Sequence, residues 1–214
     1  PVLRDGWNGF NVLHTAASRV GGLDIGFTAL GGMEQLSVDA RSGALKAVFL
    51  HGADDCNVSA FENSFTVYIG THGDAGVKVA DVILPATSYA EKPGTYVNME
   101  GRVQRSLRAV FAPGDAREDW TILRALSDVL GVRLDYDDYA ALRARMASIA
   151  PYLAEEGLAA SAWSAPAGGA APTGPVTYPI SDFYQTNAIA RASATMAQCS
   201  AELLGTDSQL QAAE

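Results

Sequence analysis

The chain has 214 residues, 48% of them hydrophobic and 18% charged, with 24 acidic against 15 basic side chains and a net charge of −9. That is length for one sizeable core or a little more, and the acidic balance with scattered Lys and Arg excludes a nucleic-acid binder, which needs clustered cations to neutralise phosphates. No apolar run is long enough to span a bilayer, and two isolated cysteines, Cys56 and Cys199, make neither a disulfide framework nor the set of about four thiolates that an iron–sulfur cluster takes.

The opening Pro1-Val2-Leu3-Arg4-Asp5 lacks the charged, apolar, small-residue order of a signal peptide. Without an initiator methionine, the chain reads as a C-terminal piece of a longer polypeptide. From Asn11 to Val20, the positions Val12, Leu13, Ala16, Ala17 and Val20 recur at helical spacing, with Gly21-Gly22 as the stop. Three apolar runs follow as strands: Ala44 to Leu50, Phe65 to Gly70, and Val79 to Leu84. Each closes on a glycine or proline loop, the pattern of a parallel sheet covered on both faces. The gap from Asn57 to Asn63 is short for a crossover helix. Helices are expected over Glu118 to Leu130, stopped by Gly131, and over Asp138 to Ile149, where Tyr139, Leu142, Met146 and Ile149 share a face ahead of Pro151. Ser164 to Thr177 is rich in Ala, Pro and Gly and reads as a linker. Tyr178 to Ala197 then packs back as a strap, and the residues after Gly205 form a polar, frayed tail. The fold class is α/β, with a mostly parallel sheet and flanking helices over 1–150, a linker over 151–177, and a strap and tail over 178–214.

One stretch is more specific. Ala80-Asp81-Val82-Ile83-Leu84-Pro85 is followed by Glu91-Lys92-Pro93-Gly94-Thr95-Tyr96-Val97-Asn98-Met99-Glu100-Gly101-Arg102-Val103-Gln104. The combination resembles the molybdopterin oxidoreductase superfamily, whose members hold a molybdenum or tungsten pterin, apart from a branch that has lost it and serves inside respiratory complex I. Trp7-Asn8-Gly9-Phe10-Asn11-Val12-Leu13-His14 with Ala16-Ala17-Ser18-Arg19-Val20-Gly21 is similar to that branch, the large iron–sulfur subunit of NADH:quinone oxidoreductase. So is the tail: Asp182-Phe183-Tyr184, Thr186-Asn187, Ile189 to Ser193, and Thr195 to Cys199. There Asn187-Ala188 replaces the family's usual Asp-Pro.

The resemblance implies a Rossmann-like, molybdopterin-oxidoreductase-like domain followed by an extended C-terminal segment. It implies a structural part of the peripheral-arm iron–sulfur subunit of a proton-translocating NADH:quinone oxidoreductase, with no catalytic, cofactor-binding or metal residue in this stretch. The 2Fe-2S and 4Fe-4S clusters would belong to an N-terminal part, and FMN to a partner subunit. The implied partners are other peripheral-arm subunits of complex I, on the cytoplasmic or mitochondrial-matrix side of the inner, energy-transducing membrane. The alternative is a fragment of a molybdenum- or tungsten-pterin oxidoreductase such as a formate dehydrogenase relative, with its metal ligand upstream of Pro1. A free-standing nucleotide-binding α/β protein lacks its glycine fingerprint here.

The structural-loop candidates are Asp81, Glu91, Gly94, Asn98, Glu100, Gly101 and Arg102. Asp81, within an apolar run, is either a pterin or substrate contact or a carboxylate that accepts nearby backbone N–H groups and locks the following loop. Glu100 and Arg102 either border a pterin or form an ion pair that fixes a hairpin. His51 and His72 each follow a strand, where open α/β sheets place ligands, and with Asp54, Asp55 and Asp74 they define a candidate crevice; the same loops would persist in a vestigial site. The three histidines, including His14, have no local metal spacing. Gly70-Thr71-His72-Gly73-Asp74-Ala75-Gly76 lacks the order of a phosphate loop and reads as a turn. Asp54 and Asp55 would raise the Cys56 pKa and suppress its thiolate.

Overall fold

The computed structural model describes residues 3–4, 7–8, 12–159, 174–175 and 180–205. The expected helix start at Asn11, most of the linker, Tyr178 and the polar tail after Gly205 lie outside them. In chain order the elements are β1 (Leu3–Arg4), β2 (Trp7–Asn8), α1 (Arg19–Asp24), α2 (Gly32–Arg41), β3 (Ala47–His51), β4 (Phe65–Gly70), β5 (Val82–Pro85), β6 (Gly94–Val97), β7 (Arg102–Ser106), α3 (Asp119–Val129), α4 (Tyr139–Ile149), β8 (Gly157–Leu158), α5 (Ala188–Arg191) and α6 (Ala194–Cys199). They form two compact units, Pro1–Gln35 with Thr87–Gly169 and Leu36–Ala86 with Ala170–Glu214.

The second unit holds the parallel sheet, ordered β3-β4-β5, with Ala47 opposite Phe65 and Val67 opposite Val82. Its connections are single 3-10 turns, Val58–Phe61 and Gly76–Val79, because the gaps are too short for helices. Only the central strand is covered on both faces: past its exposed first residue, Phe65, the residues Thr66, Val67, Tyr68 and Ile69 are buried, whereas Phe49, Val82 and Ile83 on the edge strands stay exposed. The expectation of full cover therefore fails at the edges. Ala40 from α2, Leu50, Phe61 and Tyr68 make the core.

In the first unit β6 and β7 form an antiparallel hairpin extended by β8. Val97 and Val103, paired across the hairpin, meet Ala150 and Leu153, with Val20 and Met146 packed beside them. The 3-10 turn Pro151–Ala154 contributes more to this core than Ile149, which is half exposed despite its helical spacing. Asp138 caps α4 by accepting the Ala141 N–H at 2.7 Å. Gly131, at φ +72°, stops the chain after α3.

The first helix departs from its expected range. Residues 12–18 are not helical, and α1 begins only at Arg19. Ser18 is the cause: at φ +56° it is left-handed, which a right-handed helix cannot pass through. The glycines expected to stop the helix lie inside it. A Cβ at Gly21 would stand 2.8 Å from Ser18 Oγ and 3.2 Å from Val97 Cγ2.

The C-terminal segment is a string of short helical turns rather than an extended strap. The turns are Phe183–Gln185, α5, α6 and a π turn over Ser200–Leu204. Side chains of Asp182, Asn187 and Ser193 cap the first three by accepting the N–H groups of Tyr184, Ala190 and Met196. Asn187, standing where the resembled family has Asp, still performs the capping.

Candidate functional site

The strand-end crevice is built from the loops after β3 and β4. Tyr68 lies in the middle of β4 and is 1% exposed, so its hydroxyl requires a buried partner. It donates to Asp54 Oδ2 at 2.7 Å, and Asp54 Oδ1 accepts the Gly76 N–H at 2.8 Å. Asp54 is 7% exposed, and both its oxygens are engaged. Burial, and then the bond to Asp54, push the Tyr68 phenol above its ordinary value.

This network explains the glycines of the 70–76 loop. A Cβ at Gly70 would fall 2.4 Å from Tyr68 Cζ, and one at Gly76 would fall 2.6 Å from Tyr68 Cδ2. The loop resembles a phosphate cradle only in composition; Gly70 and Gly76 make room for a tyrosine ring, and Gly73 supplies φ +55°.

The other two acids turn to Arg191. Its Nε donates to Asp74 Oδ2 at 2.5 Å, its Nη2 to Asp55 Oδ1 at 2.6 Å, and its Nη1 to the Gln185 carbonyl at 3.0 Å. His51 and His72 are exposed at the two strand ends, with His72 Nδ1 2.9 Å from Thr71 Oγ1. Among the described residues no group of three or more His, Cys, Asp or Glu is arranged to hold a metal ion. Cys56, partly buried, has its thiol pushed up by burial first and then by Asp54 and Asp55. A pterin dinucleotide would bring phosphates to strand ends lined by carboxylates, and this donor set does not fit them.

The loop candidates occupy two places. Asp81 is exposed and stands before β5, not within it. Its N–H donates to the Thr66 carbonyl at 2.8 Å, and its Oδ2 accepts the Thr66 N–H at 2.7 Å. It thereby joins the edge strand to the start of β4. In the first unit, Glu91 Oε2 accepts the Ser88 N–H at 2.9 Å. The turn between β6 and β7 is organised by Asn98, whose Oδ1 accepts the N–H groups of Glu100 at 2.9 Å and Arg102 at 3.0 Å. Gly101 supplies φ +80°, and Gly94 leaves room for the Tyr96 ring, 2.8 Å from where its Cβ would be. Among the described residues no ion pair joins Glu100 to Arg102; the amide of Asn98 fixes the hairpin instead.

The hairpin meets the 14–20 stretch. Ser18 Oγ accepts the buried Val97 N–H at 3.1 Å. Between them lies a cavity of about 380 Å³ whose polar lining is His14, Ser18, Arg19, Tyr96, Asn98 and Gln104. Two sequence stretches that separately suggested a family thus sit against each other.

Sequence reasoning passed over Tyr68, Ser18 and Arg191. Tyr68 carried a signal, since a tyrosine in a strand buried on both faces must bury a hydroxyl. Ser18 carried none, because a left-handed serine is set by its surroundings.

Known proteins give matching results. The molybdopterin oxidoreductase family model matches residues 2–129, and the model for the C-terminal part of the G subunit of NADH-ubiquinone oxidoreductase matches residues 150–199. The NADH-ubiquinone oxidoreductase 75 kDa subunit of Reclinomonas americana is 44% identical over 201 residues, covering 91% of this chain and 29% of its own. The mitochondrial 78 kDa subunit of Neurospora crassa is 45% identical over 210 residues, covering 93% of this chain and 27% of its own. The NADH dehydrogenase [ubiquinone] iron-sulfur protein 1 of Solanum tuberosum is 43% identical over 208 residues, covering 94% and 27%. The chain spans less than a third of the length of these relatives.

Proposed function

We propose, from the premise that this chain belongs to the molybdopterin oxidoreductase family, that it is a structural part of the peripheral iron–sulfur subunit of a proton-translocating NADH:quinone oxidoreductase. One observation carries the reading. The stretch that matches the C-terminal model of the NADH-ubiquinone oxidoreductase family, 150–199, contains Arg191, which occupies the carboxyl ends of β3 and β4, where an open α/β sheet places its ligands.

The complete enzyme passes electrons from NADH through FMN, held by a partner subunit, and through 2Fe-2S and 4Fe-4S clusters to quinone. The clusters belong to the part of the polypeptide that the relatives carry beyond this match. This portion contributes mass and fixed contacts with neighbouring peripheral-arm subunits, on the cytoplasmic or matrix side of the membrane. Electron transfer depends on constant spacing between centres, so a rigid support matters without any reactive group of its own. Among the described residues no helix is long and apolar enough to cross a bilayer, which suits a peripheral position.

The test is to tag this polypeptide in its host and purify it under native conditions. The reading expects NADH:quinone activity and flavin to co-purify with it. Elution separate from both overturns it.

A further inference from the structure

The carboxyl ends of β3 and β4 form the position at which an open parallel sheet offers a ligand site. Asp54 is used up there by Tyr68 and Gly76, leaving Asp55 and Asp74 facing outward. Both are met by one guanidinium from a distant part of the sequence, and a third nitrogen of the same group reaches a backbone carbonyl. We propose that these strand-end loops are a guanidinium-binding site whose resident ligand is Arg191, which makes the C-terminal segment a tethered occupant of the sheet's ligand position. The inference rests on the geometry of this unit alone and stands apart from the assignment to a respiratory enzyme.

The chemistry selects the group. The loops place two carboxylates around two nitrogens of one planar fork, Asp74 at Nε and Asp55 at Nη2, while Nη1 turns back to the Gln185 carbonyl of the segment itself. A guanidinium presents its donors in that fixed arrangement, whereas an ammonium is a point charge on a flexible stem. The segment is shaped to deliver it: Arg191 is the last residue of α5, Asn187 caps that helix, and Asp182 accepts from Ser200 Oγ at 2.6 Å, holding the two ends of the segment together. An arriving phosphate would have to strip Arg191 from its carboxylates and then face both charges. A ligand bearing a guanidinium would compete with Arg191 directly.

A plain surface ion pair is the competing account, and pairs of this exposure contribute little on average. The two accounts differ in chemical rescue. In the full chain carrying Arg191→Ala, backbone hydrogen exchange in 52–56, 71–76 and 183–192 should rise by roughly tenfold. Millimolar methylguanidinium should restore protection in the two loops, and methylammonium chloride at equal concentration should not. Arg191→Lys keeps the charge without the fork and provides a folded comparison; its loops should exchange faster than wild type and gain nothing from methylammonium. Exchange in Arg191→Ala within twofold of wild type, equal rescue by both salts, or wild-type protection in Arg191→Lys would each overturn the proposal.

Discussion

Replacing Tyr68 by Phe removes one oxygen from a fully buried ring and leaves the packing against Gly70 and Gly76 intact. What is lost is the 2.7 Å bond to Asp54, so a carboxylate oxygen in a residue 7% exposed keeps no donor. Stranding a buried acceptor costs about 1–3 kcal/mol and more when it is charged; with the Gly76 N–H still bound to the other oxygen, the loss here is at least about 2 kcal/mol. For a chain of this length that lowers the melting temperature by about 4–8 °C. Asp54→Asn behaves differently. Its amide oxygen still accepts from Gly76, and its NH₂ donates to the Tyr68 hydroxyl oxygen; the hydroxyl proton loses its acceptor, but no buried charge is left without a donor, so the cost falls to about 1 kcal/mol. Urea melts of both variants of the full chain measure the contrast. If Asp54 were held for a ligand instead of for the tyrosine, Tyr68→Phe would be nearly silent and ligand-linked function would fail in Asp54→Asn. Equal or larger destabilisation by Asp54→Asn refutes the argument.

The same tyrosine sets an alkaline dependence. Its folded pKa lies above its unfolded value near 10, so its contribution is fully present below about pH 10 and is lost as pH rises through the folded value. Melting temperature followed upward from pH 9 should fall less steeply in Tyr68→Phe than in wild type. Asn98→Ala removes two side-chain bonds from an exposed turn and should cost about 1–2 kcal/mol, whereas Arg102→Ala should cost less than about 0.5 kcal/mol; denaturant midpoints with the reverse order would restore the ion pair. Ser18→Ala keeps the left-handed strain and deprives the buried Val97 N–H of its acceptor, so chemical melts should report a loss of about 1–2 kcal/mol. Cys56 should alkylate at pH 8 more slowly than free cysteine, since its pKa is raised by burial and by its two acidic neighbours; mass spectrometry after brief iodoacetamide treatment checks it.

Element type was legible wherever a period or a stop signal was local. β4 runs from Phe65 to Gly70 as its apolar run indicates, α3 and α4 keep their expected spans to within a residue, and Gly131 ends its turn. What escaped depends on groups distant in sequence. Ser18 breaks a helix that its periodicity supports, because its hydroxyl serves Val97 in a hairpin assembled much later in the chain. Asp81 read as buried in an apolar strand; it lies just before one, exposed, because the edge of a three-stranded sheet is open. The acids of the 51–55 and 71–74 loops read as a candidate ligand set because their partners, a tyrosine in mid-strand and an arginine near the end of the chain, cannot be inferred from spacing. The family resemblance was legible because its residues are contiguous.

The central claim is that this family member works as a cofactor-free support within an iron–sulfur subunit. Molybdenum, tungsten and iron content per copy of the polypeptide, measured on the native assembly, tests it most directly. The account predicts several irons per copy, with molybdenum and tungsten far below one. Molybdenum or tungsten near one per copy would contradict it and return the strand-end loops to cofactor binding.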